Sequence, residues 1–137
     1  MSFQLTTQEA QAIDLILKGL STRARQSFTL DQLISRWEQF VAELSDHYPY
    51  SIYDYQNDLS IRDLLQEILE QAPPSIREKI IQRISPLDEQ FKWLTYELNN
   101  PLLEETNPHY WWWYRFPQNP RNDLIDSIDP LPRKRYT

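Results

Sequence analysis

The sequence predicts an all-α fold: a bundle of four to five helices, about 6–20, 29–46, 59–72, 75–84 and 86–98, closed by an extended, aromatic and Pro-rich C-terminal strap. Three observations carry this. Ser or Thr followed three places later by an acid or amide recurs along the first 98 residues, which is the signature of a capped helix start. Behind each such pair apolar residues repeat at helical spacing, with no strand-like alternation of β-branched residues. From Asn99 onward that periodicity stops, and six of the chain's ten prolines follow.

The first helix opens at Thr6, with Glu9 at the third helical position, and Ile13, Ile16, Leu17 and Leu20 form its stripe. Gly19 either ends it early in a left-handed cap or is tolerated in its last turn. A polar linker, 21–27, carries Arg23 and Arg25. Thr29 and Gln32 open the second helix, where Leu30, Leu33, Ile34, Trp37, Phe40, Val41 and Leu44 share one face. The stretch 46–58, with Tyr48, Tyr50, Tyr53 and Tyr55, reads as a long joint. Ser60 and Asp63 then cap a third helix lined by Ile61, Leu64, Leu65, Ile68, Leu69 and Ala72.

The short turn 71–75 makes the third and fourth helices antiparallel neighbours. Ser75 and Glu78 open the fourth. Its seam of Ile80, Ile84, Leu87, Phe91, Leu94 and Leu98 keeps phase across Pro86, a residue that removes a helical hydrogen bond. Ser85 also fits a cap with Pro86 at the first position. The expectation is two nearly collinear pieces meeting at a kink. In domain terms, 1–98 is the bundle, 99–117 an ordered aromatic strap packed on it, and 118–137 a loosely ordered or disordered tail.

Composition narrows the function. A single glycine excludes Gly-rich phosphate loops, and the lack of Cys excludes disulfides, thiolate nucleophiles and Cys-ligated zinc. The net charge of −6 belongs to residues 1–98, where nine Lys and Arg face fifteen Asp and Glu; residues 99–137 carry five of each. An acidic body argues against a sequence-independent grip on nucleic acid. The first residues lack a signal-peptide pattern, and no apolar run reaches the ~18 residues of a membrane span. The expected location is cytoplasmic.

The densest chemistry is "HYWWWYRFP", residues 109–117, where six of eighteen aromatic residues occupy seven positions. In an extended strap, alternation puts Tyr110, Trp112, Tyr114 and Phe116 on one face and Trp111, Trp113 and Arg115 on the other. The even face closes the bundle. The other face is either covered by the chain's own loops, including the tyrosine joint, or presented to a partner. Trp, Tyr and Arg are the residues that dominate interface energy, so Trp111, Trp113 and Arg115, with Tyr50 and Tyr53 at the rim, are the candidate partner-binding residues.

No catalytic or metal-binding set emerges. His47 and His109 lack a convergent partner at ligand spacing, although Asp46, Asp54 and Glu104 are present. Ser and Thr sit at helix starts, where capping accounts for them. Arg23, Arg25 and Arg36 read as solvated charge, and a PxxP at 117–120 is too common a pattern to weigh. The expected function is a non-enzymatic interaction module, an adaptor, assembly factor or small regulator, binding a protein partner or a second copy as a possible homodimer, with no cofactor. The competing class is a small-ligand or enzymatic domain in which Tyr48, Tyr53, Trp112 and either His109 or Arg115 converge on a closed pocket. Nucleic-acid binding by stacking needs basic flanks that the acidic body does not supply.

Overall fold

The computed structural model describes residues 4–24, 28–128 and 132–134. Four long helices, α1 (Thr7–Ala24), α2 (Leu30–Ser45), α3 (Ile52–Gln71) and α4 (Pro74–Leu94), form a helical bundle, in which α2 packs across both α3 and α4, and α1 lies on α3. The chain then forms a short strand, β1 (Thr95–Glu97), a 3₁₀ turn (Trp111–Tyr114), a second strand, β2 (Arg115–Pro117), and a one-turn helix, α5 (Asn122–Asp126). β1 and β2 are antiparallel, with Tyr96 opposite Phe116.

The helix starts follow the expected caps at α1 and α2 but not at α3 or α4; α4 starts at Pro74, with Pro73 at the cap position and no side-chain cap hydrogen bond, so the expected Ser75–Glu78 pair does not open it. The capping box at α1 is formed: Thr6 N–H donates to Glu9 Oε1 at 2.9 Å and Glu9 N–H to Thr6 Oγ1 at 3.2 Å. The same reciprocal pair joins Thr29 and Gln32 at α2. For α3, however, the cap is Ser51 with Asp54, not Ser60 with Asp63. Both have the same spacing. The upstream one prevails because Ile52, Tyr55 and Leu59 extend the buried stripe by two turns. The expected joint at 46–58 is therefore half helix. The turn that does remain after α2 contains His47 at φ 60°, a left-handed position taken by a non-glycine residue.

Three further expectations change. The fourth helix does not divide: α4 runs as one element through Pro86. Gln82, whose carbonyl loses its donor, and Pro86 itself are both exposed, so the missing bond falls on the solvent side of the helix and not in the core. The helix does not reach residue 98 either. Thr95 ends it by donating its hydroxyl to Phe91 O at 2.7 Å, and the backbone turns into β1. Thirdly, α1 continues past residue 20 to Ala24; of the expected linker, 25–27 lie outside the described residues.

Gly19 sits inside α1, exposed, with nothing within 4 Å of the place a Cβ would occupy. It does no conformational work there, since its backbone is helical. Gly19→Ala is expected to stabilise the fold by about 0.5–1 kcal/mol through reduced freedom of the unfolded chain. Chemical denaturation checks this, and an unchanged or lower midpoint contradicts it.

α1 is pinned to α4 by an ion pair: Lys79 Nζ lies 2.6 Å from Glu9 Oε1 and also donates to Gln4 O. The Lys79 contact, joined by the Thr6 backbone and Ser75, holds the Glu9 carboxyl down to about 2 from an ordinary 4.5. Because the folded state depresses this pKa, the stability it confers is fully present above pH 4.5 and is lost as pH falls from 4.5 toward 2. Glu9→Gln should therefore flatten the stability–pH curve across that interval. Acid titration followed by circular dichroism measures it; an identical slope in the variant would refute the assignment.

Candidate functional site

The aromatic segment is not extended. Residues 111–114 wind into a 3₁₀ turn, and only 115–117 form a strand. With three residues per turn, positions i and i+3 eclipse, so Trp111 and Tyr114 share a face while Trp112 and Trp113 turn inward. This overturns the two-faced alternation. Trp113, expected on the outer face, is 2% exposed, and Trp112 is 1% exposed.

What draws both indoles inward is one carboxylate. Asp63 Oδ1 accepts from Trp112 Nε1 at 2.6 Å and from Trp113 Nε1 at 2.8 Å. Asp63 projects from the middle of α3, a consequence of that helix starting at Ser51. Burial raises the Asp63 pKa above the ordinary carboxylate value and Glu67 adds to the shift, while the two indole donors and Arg62 oppose it.

One position earlier, Arg62 is buried and forms a bidentate pair with Asp88 of α4, at 3.1 Å from Nε and 2.9 Å from Nη2. Asp88 also accepts from Trp37 Nε1 of α2 at 3.0 Å, so one residue pair ties three helices. The guanidinium lies 4.5 Å from the centroid of the Trp112 ring, which Tyr110 stacks upon at 4.7 Å. Every buried side-chain polar atom described has a partner.

The other candidate residues separate. Arg115 is half-buried and spent on structure: its guanidinium donates to Thr95 Oγ1 and to the carbonyls of Lys92 and Thr95, capping the C-terminal end of α4. Trp111 is half-buried against Phe91, with the Lys92 ammonium 4.6 Å from its ring centroid. Tyr50, 44% exposed, packs edge-on to Tyr48, and Tyr53 is 74% exposed. Of the five, Trp111 and Arg115 share a cleft. Its volume is about 520 Å³, and Lys92, Glu97, Pro108 and Tyr114 complete it.

Among the described residues, those of the competing pocket lie apart: Tyr48 is buried among Phe40 and Tyr55, with its hydroxyl on Asp58 at 2.6 Å, Tyr53 and His109 are exposed, and Trp112 is buried on Asp63. Pro117 of the PxxP is buried within β2. Among the described residues, no group of three or more His, Cys, Asp or Glu is placed to hold a metal, and no helix is long and apolar enough to cross a membrane.

Two open surfaces result. One is the Trp111–Tyr114 cleft; Trp93, next in the chain to the Lys92 that lines it, is 83% exposed. Trp93 lies off the seam Ile80–Ile84–Phe91, and that offset alone marks it as an outward tryptophan. The second is a groove of about 680 Å³ between α2 and α3, with Phe28, Phe40, Ile61 and Leu64 along it, Tyr50 at its edge and mainly acidic walls. No protein-family model, curated protein or solved structure matches the chain.

Proposed function

We propose that this protein is a non-enzymatic interaction module, an adaptor, assembly factor or small regulator of the cytoplasm, which binds a protein partner through Trp93 and the neighbouring Trp111–Tyr114 cleft. The exposure of Trp93 carries the reading. A tryptophan offers roughly 200 Å² of surface, whose burial is favourable by up to about 5 kcal/mol at ~25 cal/mol per Å². Leaving Trp93 83% exposed gives nothing to the fold. It is what an interface anchor requires. Lys92 supplies a cation at the rim of the cleft, and Pro108 adds a rigid wall.

Trp93→Ala tests this without disturbing the core. The expected stability change is within about 0.5 kcal/mol, since the side chain is exposed. Partner affinity is expected to fall by about 2 kcal/mol or more, as for an interface hot spot. Wild type and variant are compared by capture from native lysate and quantitative titration of whatever wild type alone retains. Identical retention by both proteins sinks the proposal.

A further inference from the structure

The α2–α3 groove is independent of the Trp93 surface. Its walls bear Glu43, Asp54, Asp58, Asp63 and Glu67, against one cation, Arg36. Four of these carboxylates are held by neutral donors: Glu43 by the Gln39 amide, Asp54 by Ser51, Asp58 by the Tyr48 phenol and Asp63 by two indoles. These donors carry no charge of their own. Burial pushes the Asp58 pKa up, opposed by the Tyr48 hydrogen bond and furthered by Glu43 and Asp54, and burial raises that of Asp63 as well, so a cation entering the groove would favour the charged form of both. An apolar floor between helices under walls of one sign suits a segment that combines cations with an aromatic or aliphatic residue.

The chain carries such a segment. Arg133, Lys134 and Arg135 are its only three consecutive cations, and Tyr136 follows. Arg133 and Lys134 are exposed; the Lys134 ammonium rests 5.0 Å from the Tyr96 ring centroid, at the β1 edge. We propose that the α2–α3 groove of one molecule receives the Arg133–Arg135 segment of a second copy, so that two reciprocal insertions close a two-fold dimer. Each insertion sets three cations against a groove whose own cation is Arg36 alone, which offsets locally the repulsion between two bodies of charge −6.

Light scattering on the full chain tests this over a range of concentrations. Twice the 16.6 kDa chain mass is expected at low salt, falling toward one chain near 1 M salt, where the screening length is ~3 Å. Arg133→Glu with Lys134→Glu, both in an exposed segment, should weaken association by about tenfold or more. Glu43→Lys should act likewise, and combining it with the double reversal should restore part of the loss. A synthetic peptide spanning 128–137 should dissociate the wild-type dimer. A single-chain mass at every concentration in low salt overturns the inference, as does a dimer indifferent to the double reversal or to the peptide. Trp93→Ala should leave the mass unchanged; a loss of dimer there would move self-association to the aromatic cleft and overturn the groove assignment while leaving that surface in play.

Discussion

Asp88→Ala is expected to destabilise the protein by about 3–5 kcal/mol, the loss that follows when one partner of a buried pair is removed and the other is left charged. Arg62 would remain enclosed beside Trp112 with only Gln66 as a hydrogen-bonding side chain, and the Trp37 indole would lose its acceptor. Set against the 5–15 kcal/mol typical of a folded domain, that loss removes much of the margin. The urea midpoint should fall by more than about 1 M. The double change Arg62→Met with Asp88→Leu should be less damaging than Asp88→Ala alone, because apolar replacements leave no stranded charge. If the double variant is as unstable as the sum of the two singles, the pair is not acting as one unit.

Asp63→Ala should cost about 2–4 kcal/mol, since two largely buried indole donors lose the carboxylate oxygen that accepts from both. Asp63→Asn should cost clearly less. It keeps a carbonyl oxygen in place and removes a carboxylate whose pKa burial has raised; that ionised group opposes folding above its pKa, and acidification through the folded pKa relieves it. The two variants should also differ in tryptophan emission, with the alanine protein shifted toward the spectrum of hydrated indole. Equal stabilities for Asn and Ala would show that the oxygen on Trp112 and Trp113 contributes nothing.

The bundle was legible because it depends on local rules. The apolar stripe of α2 and the capping pairs at Thr6 and Thr29 are properties of adjacent residues, and they appear where the spacing places them. The start of α3 is not legible because Ser51–Asp54 and Ser60–Asp63 are the same local signal, and tertiary burial, including the packing of Tyr55 on Phe40 and Phe116, selects between them. The strap was harder. Whether 111–114 run extended or coil into a 3₁₀ turn is decided by a carboxylate about fifty residues away, and no local pattern contains that. Arg115 had the composition of an interface residue, yet the free carbonyls at the end of α4 claimed it. Trp93 is legible as an outward residue from its offset against the α4 seam.

The pairing of β1 with β2 joins Thr95 to Pro117 across a loop of some twenty residues, and the indole anchors reach back still further, to Asp63. Contacts of that sequence separation pay their closure entropy before any return, whereas the α3–α4 turn at Ala72 needs almost none. Helix pairing therefore comes early and seating of the strap late. Interactions formed after the rate-limiting step act on the rate of unfolding and not on the rate of folding. The Asp63 clamp is thus a brake on unfolding: it sets how long the molecule stays closed once made, and leaves the speed of its making to the helices.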